Sequence, residues 1–125
     1  MRNIRQKHHL TATPEEVYLA LTNPFTIELW SGYPAEMDTN PGSEFSLFEE
    51  DIVGRNLGFE ENKFIRQQWY FEGQEEKSIV TILLKAEKNN TVVELIHTNV
   101  PDEAYEEMLE GWKKNYFGAL KRFFK

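Results

Sequence analysis

The stretch that decides the fold is Pro101 to Lys125, which reads PDEAYEEMLEGWKKNYFGALKRFFK. Acidic residues crowd its first turns and basic residues its last turns, which is the order that the helix dipole favours. On a wheel of about 3.6 residues per turn, its apolar and aromatic side chains share one face. They are Tyr105, Leu109, Trp112, Tyr116, Ala119, Leu120 and Phe123. The pattern predicts one long amphipathic helix, which needs a large, concave apolar partner surface.

The residues that precede this helix predict such a surface. Alternating or continuous apolar runs, separated by short turns, indicate strands at 3–10, 44–50, 52–60, 63–71, 78–85 and 91–98, with 35–38 as a candidate seventh. Short turns between consecutive strands favour an antiparallel meander. Gly54 and Gly58 lie within one of these strands, which indicates a bulge or a strong bend. We therefore expect a curved antiparallel sheet of six to seven strands.

Two short helices are predicted between the first strand and the rest of the sheet. Residues Thr13 to Glu16 form a capping-box pattern with proline at the first helical position. Asn23 and Pro24 repeat the start signal for a second helix, which ends near Trp30. The order is strand, two helices, several strands and one long helix, and it predicts an α+β fold with the last helix packed across the sheet.

Composition limits what the chain can do. The 125 residues predict one domain, 1–125, and no run approaches the ~18 apolar residues that a membrane span needs. Fourteen Lys plus Arg against twenty-one Asp plus Glu give a net charge of −7, the wrong sign for binding nucleic acid. The start lacks the apolar stretch of a secretory signal, so we expect a cytoplasmic protein.

We expect neither a metal site nor a cofactor. The chain has no cysteine, which excludes thiolate zinc and iron–sulfur clusters. His8 and His9 are neighbours in a predicted strand, so their side chains point to opposite faces and cannot share a metal ion. Glycine-rich phosphate loops, nucleophile elbows and zinc-protease motifs are also missing.

Several local motifs, in their order along the chain, resemble the helix-grip (START/SRPBCC) superfamily. That superfamily includes lipid-transfer START domains, birch-pollen-allergen-like proteins and polyketide cyclases. Within it the chain is most similar to homologues of the activator of heat shock protein 90 ATPase. The matching features are the run from Thr11 to Thr22, Trp30, the turn Pro41 to Phe45, Gly54 with Gly58, Gln68-Trp69, Ile79 to Leu84, Thr91 to His97, and Gly111-Trp112.

The resemblance covers almost the whole chain and implies a helix-grip fold with a cavity between the last helix and the sheet. It does not imply one activity, because relatives range from ligand carriers to enzymes and co-chaperones. The sequence departs from the usual pattern at two places. Residues Glu60 to Lys63 replace a proline-rich corner, and Ser43 replaces the second glycine of a turn.

Candidate cavity residues follow from this arrangement. Trp30, Trp69, Tyr70, Trp112 and Tyr116 would form apolar walls, although core packing alone also demands such side chains. Arg66 and Gln68 would orient an acidic or carbonyl-bearing ligand if their strand phase faces inward. Both phases of residues 63–71 carry aromatic side chains, so the sequence leaves that direction open.

His97 shares a strand phase with Val93 and Leu95, which predicts that its imidazole faces the long helix. It is then either a ligand-binding residue at the cavity rim or an interior histidine that bonds a backbone carbonyl or the start of the last helix. Glu60 and Glu61 lie in a turn, where a solvated corner is the expected role. The serines, including Ser78, show no recognisable partner base.

Three functions remain open from the sequence. The first is binding of a small hydrophobic or aromatic molecule, such as a lipid, polyketide or isoprenoid, between helix and sheet. The second is a protein-interaction module related to chaperone activators, with an exposed apolar patch or a charged face as its sign. The third is a cyclase- or hydrolase-type enzyme, which lacks any acid–base pair. We expect binding of a small molecule first, protein interaction second and catalysis third, and we keep a homodimer as an alternative to a monomer.

Overall fold

A six-stranded antiparallel sheet carries the structure, a computed structural model that describes residues 1–125. The strands are β1 (Arg2–Leu10), β2 (Glu44–Leu47), β3 (Ile52–Glu60), β4 (Phe64–Trp69), β5 (Ser78–Glu87) and β6 (Asn90–Val100). Their order across the sheet is β1-β6-β5-β4-β3-β2, so only β1 leaves its place in the meander to pair with the last strand. The predicted α+β helix-grip fold with a curved antiparallel sheet is confirmed.

Helices α1 (Pro14–Thr22) and α2 (Pro24–Ser31) follow β1 directly. The side chain of Thr13 accepts from the backbone N–H of Glu16, and Glu16 bonds back to Thr13, as the capping box predicts. Asn23 ends α1 and caps α2 by accepting from two backbone N–H groups. None of the helices has the length and the apolar character needed to cross a membrane.

The C-terminal helix is not α-helical throughout. A short 3₁₀ turn (Asp102–Ala104) leads into α3 (Tyr105–Glu110), a π segment (Gly111–Tyr116) and α4 (Phe117–Phe123). A π turn closes its hydrogen bonds one residue later than an α turn, so everything after it is displaced by about one position on the wheel. This explains why Phe117, absent from the predicted face, is fully buried, while Phe123 is 40% exposed.

The edge of the sheet departs from the predicted strands. Residues 44–50 were expected to be one strand, but β2 ends at Leu47 because Phe48, Glu49 and Glu50 all have positive φ. Residues 35–38 contribute a single bridge, Glu36 to Ser46, rather than a seventh strand. The turn after β2 therefore leaves the sheet and reaches towards the C-terminal helix.

The two glycines of β3 have different roles. The pairing of β3 with β4 shifts between Asn56 and Gly58, which is the predicted bulge. Gly54 faces the interior, and a Cβ atom there would lie 2.0 Å from the carbonyl oxygen of Gln68. Only glycine fits at this point, where two strands approach closely.

The structure decides which phase of β4 faces the helix. Ile65, Gln67 and Trp69 are buried on the inner face, and 23 buried apolar residues form one continuous core there. The opposite phase, with Arg66 and Gln68, lies on the outer face of the sheet. The alternative in which these two polar side chains line a cavity is therefore wrong.

Candidate functional site

A groove of about 650 Å³ opens between the C-terminal helix, the end of α2 and the turn between β2 and β3. Its floor consists of aromatic side chains, and several of its rim residues are charged. The lining residues that matter most below are Trp30, Phe48, Trp69, Trp112 and Tyr116 on the floor and Glu49, Asp51, Glu107 and Arg122 at the rim. The volume lies within the range of small-molecule sites, about 300–1,000 Å³.

The aromatic floor is packed on itself. The rings of Trp69 and Trp112 stack at 4.6 Å, and the rings of Trp112 and Tyr116 lie 4.6 Å apart. Trp30 meets Tyr116 edge-on at 5.1 Å. These four residues are predicted cavity walls, and all of them are buried. They fill the space between helix and sheet, so the groove is what remains above them.

A buried polar chain lies under the floor and includes His97. The indole N–H of Trp112 donates to Nδ1 of His97 at 3.0 Å. His97 Nε2 lies 2.8 Å from Ser78 Oγ, and that hydroxyl donates to the carbonyl oxygen of Thr98 at 3.1 Å. The predicted inward direction of His97 is thus correct, but the imidazole lies in the core and not at a rim. Its partners are two side chains rather than a backbone carbonyl.

The tautomer of His97 follows from its partners. An indole N–H can only donate, so Nδ1 is the acceptor and Nε2 carries the proton that it donates to Ser78. Burial lowers the pKa of His97 to about 4, so the ring is neutral near pH 7. Ser78 does have a histidine partner, contrary to the expectation from sequence. Because the pair is buried and Nδ1 accepts from an indole, it lacks the access and the orienting acceptor of a nucleophilic triad.

A second polar chain runs towards β3. The indole N–H of Trp69 donates to Gln67 Oε1, and Gln67 Nε2 donates to Asn56 Oδ1, both at 3.0 Å. Asn56 Nδ2 continues the chain to the carbonyl oxygen of Asp38 at 3.1 Å. Every buried side-chain nitrogen and oxygen in the structure has a hydrogen-bond partner. The interior therefore offers no unsatisfied polar group to a ligand.

His8 sits at the other end of the C-terminal helix. Its ring stacks on Phe117 at 4.3 Å, and Lys121 Nζ donates to its Nδ1 at 3.2 Å. Burial, together with the charges of Lys121 and Lys113, lowers the pKa of His8 to about 4. His9 is exposed on the opposite face, as predicted, so the two histidines do not converge.

Four of the eight predicted ligand-binding residues line the groove: Trp30, Trp69, Trp112 and Tyr116. Tyr70 follows the outward phase of β4, is exposed, and donates its hydroxyl to Glu44. With Arg66 and Gln68 it lies away from the groove, and His97 lies beneath it. The strand alternation that separates Tyr70 from Trp69 is the physical reason.

Sequence reasoning expected a hairpin between β2 and β3 but did not place its residues at the site. Phe48 meets Trp30 at 6.0 Å and Tyr33 at 6.3 Å, so it closes one side of the groove. Glu49 and Asp51 flank it. No periodic signal marks these residues, because their position depends on three successive positive φ angles. The run of acids after Phe48 is the one feature that could have drawn attention to them.

Gly111 borders the groove from the helix. A Cβ atom there would meet nothing within 4 Å, so this flank of the helix leaves space. Gly118 differs, because its Cβ position lies 3.0 Å from the carbonyl oxygen of Lys113. Gly111 therefore leaves an opening, whereas Gly118 packs closely against the π segment of its own helix.

The chain is similar to known proteins in sequence. A family described as "activator of Hsp90 ATPase homolog 1-like protein" matches residues 11–125. The mouse activator of 90 kDa heat shock protein ATPase homolog 1 is 25% identical over 123 residues, which are 97% of this chain and 36% of the relative. The chain thus spans about a third of the length of the curated relatives that it matches.

Solved structures agree with the fold. An HSP90 activator from Plasmodium falciparum superposes with a TM-score of 0.90 at 25% identity, covering 98% of this chain and 96% of that one. The Aha1 dimer from Colwellia psychrerythraea gives a TM-score of 0.87 at 21% identity, with 99% and 96% covered, which shows the fold alone. From the match over residues 11–125, the chain belongs to the family of activator of Hsp90 ATPase homolog 1-like proteins.

Proposed function

We propose that the chain is a protein-interaction domain whose partner is a 90 kDa heat shock protein. The observation that carries this proposal is an apolar pair on α2: Phe25 is 78% exposed and Leu29 is 72% exposed. They are four residues apart and therefore share one helix face. Large apolar side chains that stay exposed together on a folded surface are typical of a protein contact.

The position of this pair supports the proposal. Ile27 and Trp30 hold α2 against the core, so the opposite face of the helix is presented rigidly to solvent. Trp30, on the buried side of α2, and Tyr33, just after the helix, line the groove beside it. The interior, in contrast, is filled by its own aromatic side chains and its polar atoms are satisfied, which favours recognition at the surface over enclosure of a ligand.

The partner is chosen from the relatives. Two of the similar proteins are described as activators of a heat shock protein or its ATPase. Because the chain spans about a third of the curated relatives, the activity of the whole relative is part of the proposal. We keep the cytoplasm as the expected compartment.

Titration calorimetry measures binding of the chain to a 90 kDa heat shock protein. A second assay measures the ATP turnover of the heat shock protein with and without the chain. We expect binding and a raised turnover. The double variant Phe25→Ser, Leu29→Ser should bind about tenfold more weakly or worse, since truncating an apolar contact residue costs about 1–2 kcal/mol. The matched control is Leu57→Ser, Tyr70→Ser, which removes two exposed apolar side chains elsewhere. Equal affinity of the two double variants contradicts the role of α2.

The second candidate is binding of a small hydrophobic molecule in the groove, favoured by its volume and its aromatic floor. Native mass spectrometry of the purified chain, with thermal shifts in a panel of lipids, polyketides and isoprenoids, tests it. A bound small molecule, or a shift of several degrees that Gly111→Leu removes, supports this candidate. The same spectra show the oligomeric state, and a homodimer that Phe25→Ser dissociates would make a second copy the partner.

A further inference from the structure

The groove combines an aromatic floor with a rim that is mainly acidic. Glu49 and Asp51 come from the turn between β2 and β3, and Glu107 and Arg122 come from the C-terminal helix. None of these four residues forms an ion pair in the structure. Three carboxylates and one guanidinium give the rim a formal excess of negative charge, and no ion pair within the chain offsets it.

We propose that the groove is a docking site for a short protein segment in which a lysine or arginine stands next to an apolar side chain. The proposal rests on the proposed function, because it assumes that the chain binds another protein. The segment enters the groove, and the exposed pair on α2 contacts a neighbouring part of the same partner protein.

Charge selects a basic occupant. An acidic or phosphorylated segment would face three carboxylates and one guanidinium, and a like-charge approach of this kind opposes binding. The whole chain carries a net charge of −7, so its field attracts cationic segments before contact. Glu107 and Arg122 are four turns apart on the helix, roughly 22 Å along its axis. Arg122 therefore lies well away from Glu107 and does not pair with that carboxylate.

The floor selects an apolar neighbour for that cation. Apolar and aromatic edges of Trp30, Tyr33 and Trp112 border the groove, so a side chain that enters loses contact with water against them. A cation placed over an aromatic face gains electrostatic attraction as well, about 0.5–2 kcal/mol. The volume of about 650 Å³ accommodates a few side chains, which fits a short segment better than a flat protein surface.

The turn that carries the acids is held in place. Phe48, Glu49 and Glu50 have φ angles of 53°, 54° and 67°, a left-handed conformation that costs about 1–2 kcal/mol per residue outside glycine. The ring of Phe48 anchors this turn against Trp30 and Tyr116 at 6.0 and 6.5 Å. Backbone held in such a conformation positions Glu49 beside the groove before any partner arrives.

The test uses three fluorescent synthetic peptides of equal length. The first alternates lysine with leucine and phenylalanine, the second has glutamate in place of lysine, and the third has serine in place of the apolar residues. Fluorescence anisotropy with the full chain should show binding of the first peptide only. Its affinity should fall as salt is added, because rim charges are screened.

Variants then locate the site. The rim variant removes three negative charges from the groove and carries Glu49→Gln, Asp51→Asn and Glu107→Gln. The loop variant removes three negative charges from the loop between β4 and β5 and carries Glu72→Gln, Glu75→Gln and Glu76→Gln. The rim variant should weaken the lysine peptide about tenfold and flatten its salt dependence, since exposed pairs contribute up to about 1 kcal/mol each. The loop variant should bind as the wild type does. Equal weakening by both variants overturns the proposal.

Gly111→Leu gives a second, uncharged test. Because Gly111 lines the groove and a Cβ atom there meets nothing within 4 Å, we expect the added side chain to occupy the groove without a clash at its Cβ. It should abolish peptide binding while the melting temperature stays at or above that of the wild type. Unchanged peptide binding overturns the proposal.

The two proposals can fail separately. If the heat shock protein binds the rim variant and Gly111→Leu as tightly as the wild type, the groove proposal is overturned and the function through α2 stands. If the heat shock protein does not bind but the lysine peptide does, the groove proposal is supported and the partner is another protein.

Discussion

Lowering the pH should destabilise the fold through His97. The imidazole is fully buried and neutral, with its pKa lowered from 6.5 to about 4 by burial. In the unfolded chain the same ring binds a proton below pH 6.5, so the unfolded state binds more protons between pH 4 and 6.5. Stability due to this group is therefore complete above pH 6.5 and is lost as the pH falls towards 4.

The size of the effect follows from the shift. One pKa unit corresponds to about 1.36 kcal/mol, so His97 alone lowers the free energy of unfolding by about 2.5 kcal/mol between pH 7 and 4.5. His8, whose pKa is also lowered to about 4, acts in the same direction. The slope due to His97 averages about 1 kcal/mol per pH unit over this window and approaches 1.4 midway between the two pKa values.

Urea unfolding at several pH values between 4.5 and 7 measures that slope. His97→Gln keeps a buried polar side chain that does not titrate, and it should reduce the wild-type slope by about one proton. Trp112→Phe is the matched control, because it removes the N–H donor to Nδ1 but leaves the imidazole in place. It should lower stability by about 1 kcal/mol and keep most of the slope. A wild-type slope in His97→Gln would refute the buried, neutral imidazole.

Three further substitutions test the helix and the polar interior. Gly111→Ala should raise the free energy of unfolding by about 1 kcal/mol, because alanine is the better helix former and its Cβ meets open space. Gly118→Ala should not raise the free energy of unfolding, since its Cβ would lie 3.0 Å from the carbonyl oxygen of Lys113. Thermal unfolding of both variants measures the difference. An equal gain in stability for the two variants would contradict the close approach at Gly118. Gln67→Met should lower the free energy of unfolding, measured with urea, by about 2–4 kcal/mol. It leaves the indole N–H of Trp69 and the side-chain oxygen of Asn56 without their hydrogen bonds to Gln67. A cost below about 1 kcal/mol would show that water or a rearrangement replaces those bonds.

Much of the fold is readable from local pattern. The capping residues Thr13 and Asn23 predict the starts of both short helices, and the structure places both helices there. The alternation of residues 78–85 and 91–98 predicts two paired strands, which are β5 and β6. Such signals depend only on neighbouring residues, backbone propensity and side-chain periodicity, so they can be read without the tertiary structure.

The candidate site is readable only in part. Trp30, Trp69, Trp112 and Tyr116 were recognisable as large aromatic candidates for cavity walls, and they form the floor of the groove. Arg66, Gln68 and Tyr70 were not separable from them, because both phases of that strand carry aromatic side chains. The sequence pattern did not predict the acidic rim, since Glu49 and Asp51 reach the groove through a turn of positive φ rather than through a periodic element.

The sequence by itself determined the order of the elements, the antiparallel meander of consecutive strands and the amphipathic last helix, because each depends on residues close together in the chain. Tertiary structure alone decided the phase of β4, the bond from Trp112 to His97, and the inward rotation of Phe117 by the π segment. These three outcomes depend on contacts between side chains far apart in the chain. Close packing around the aromatic floor selects one arrangement among several that the local pattern allows equally.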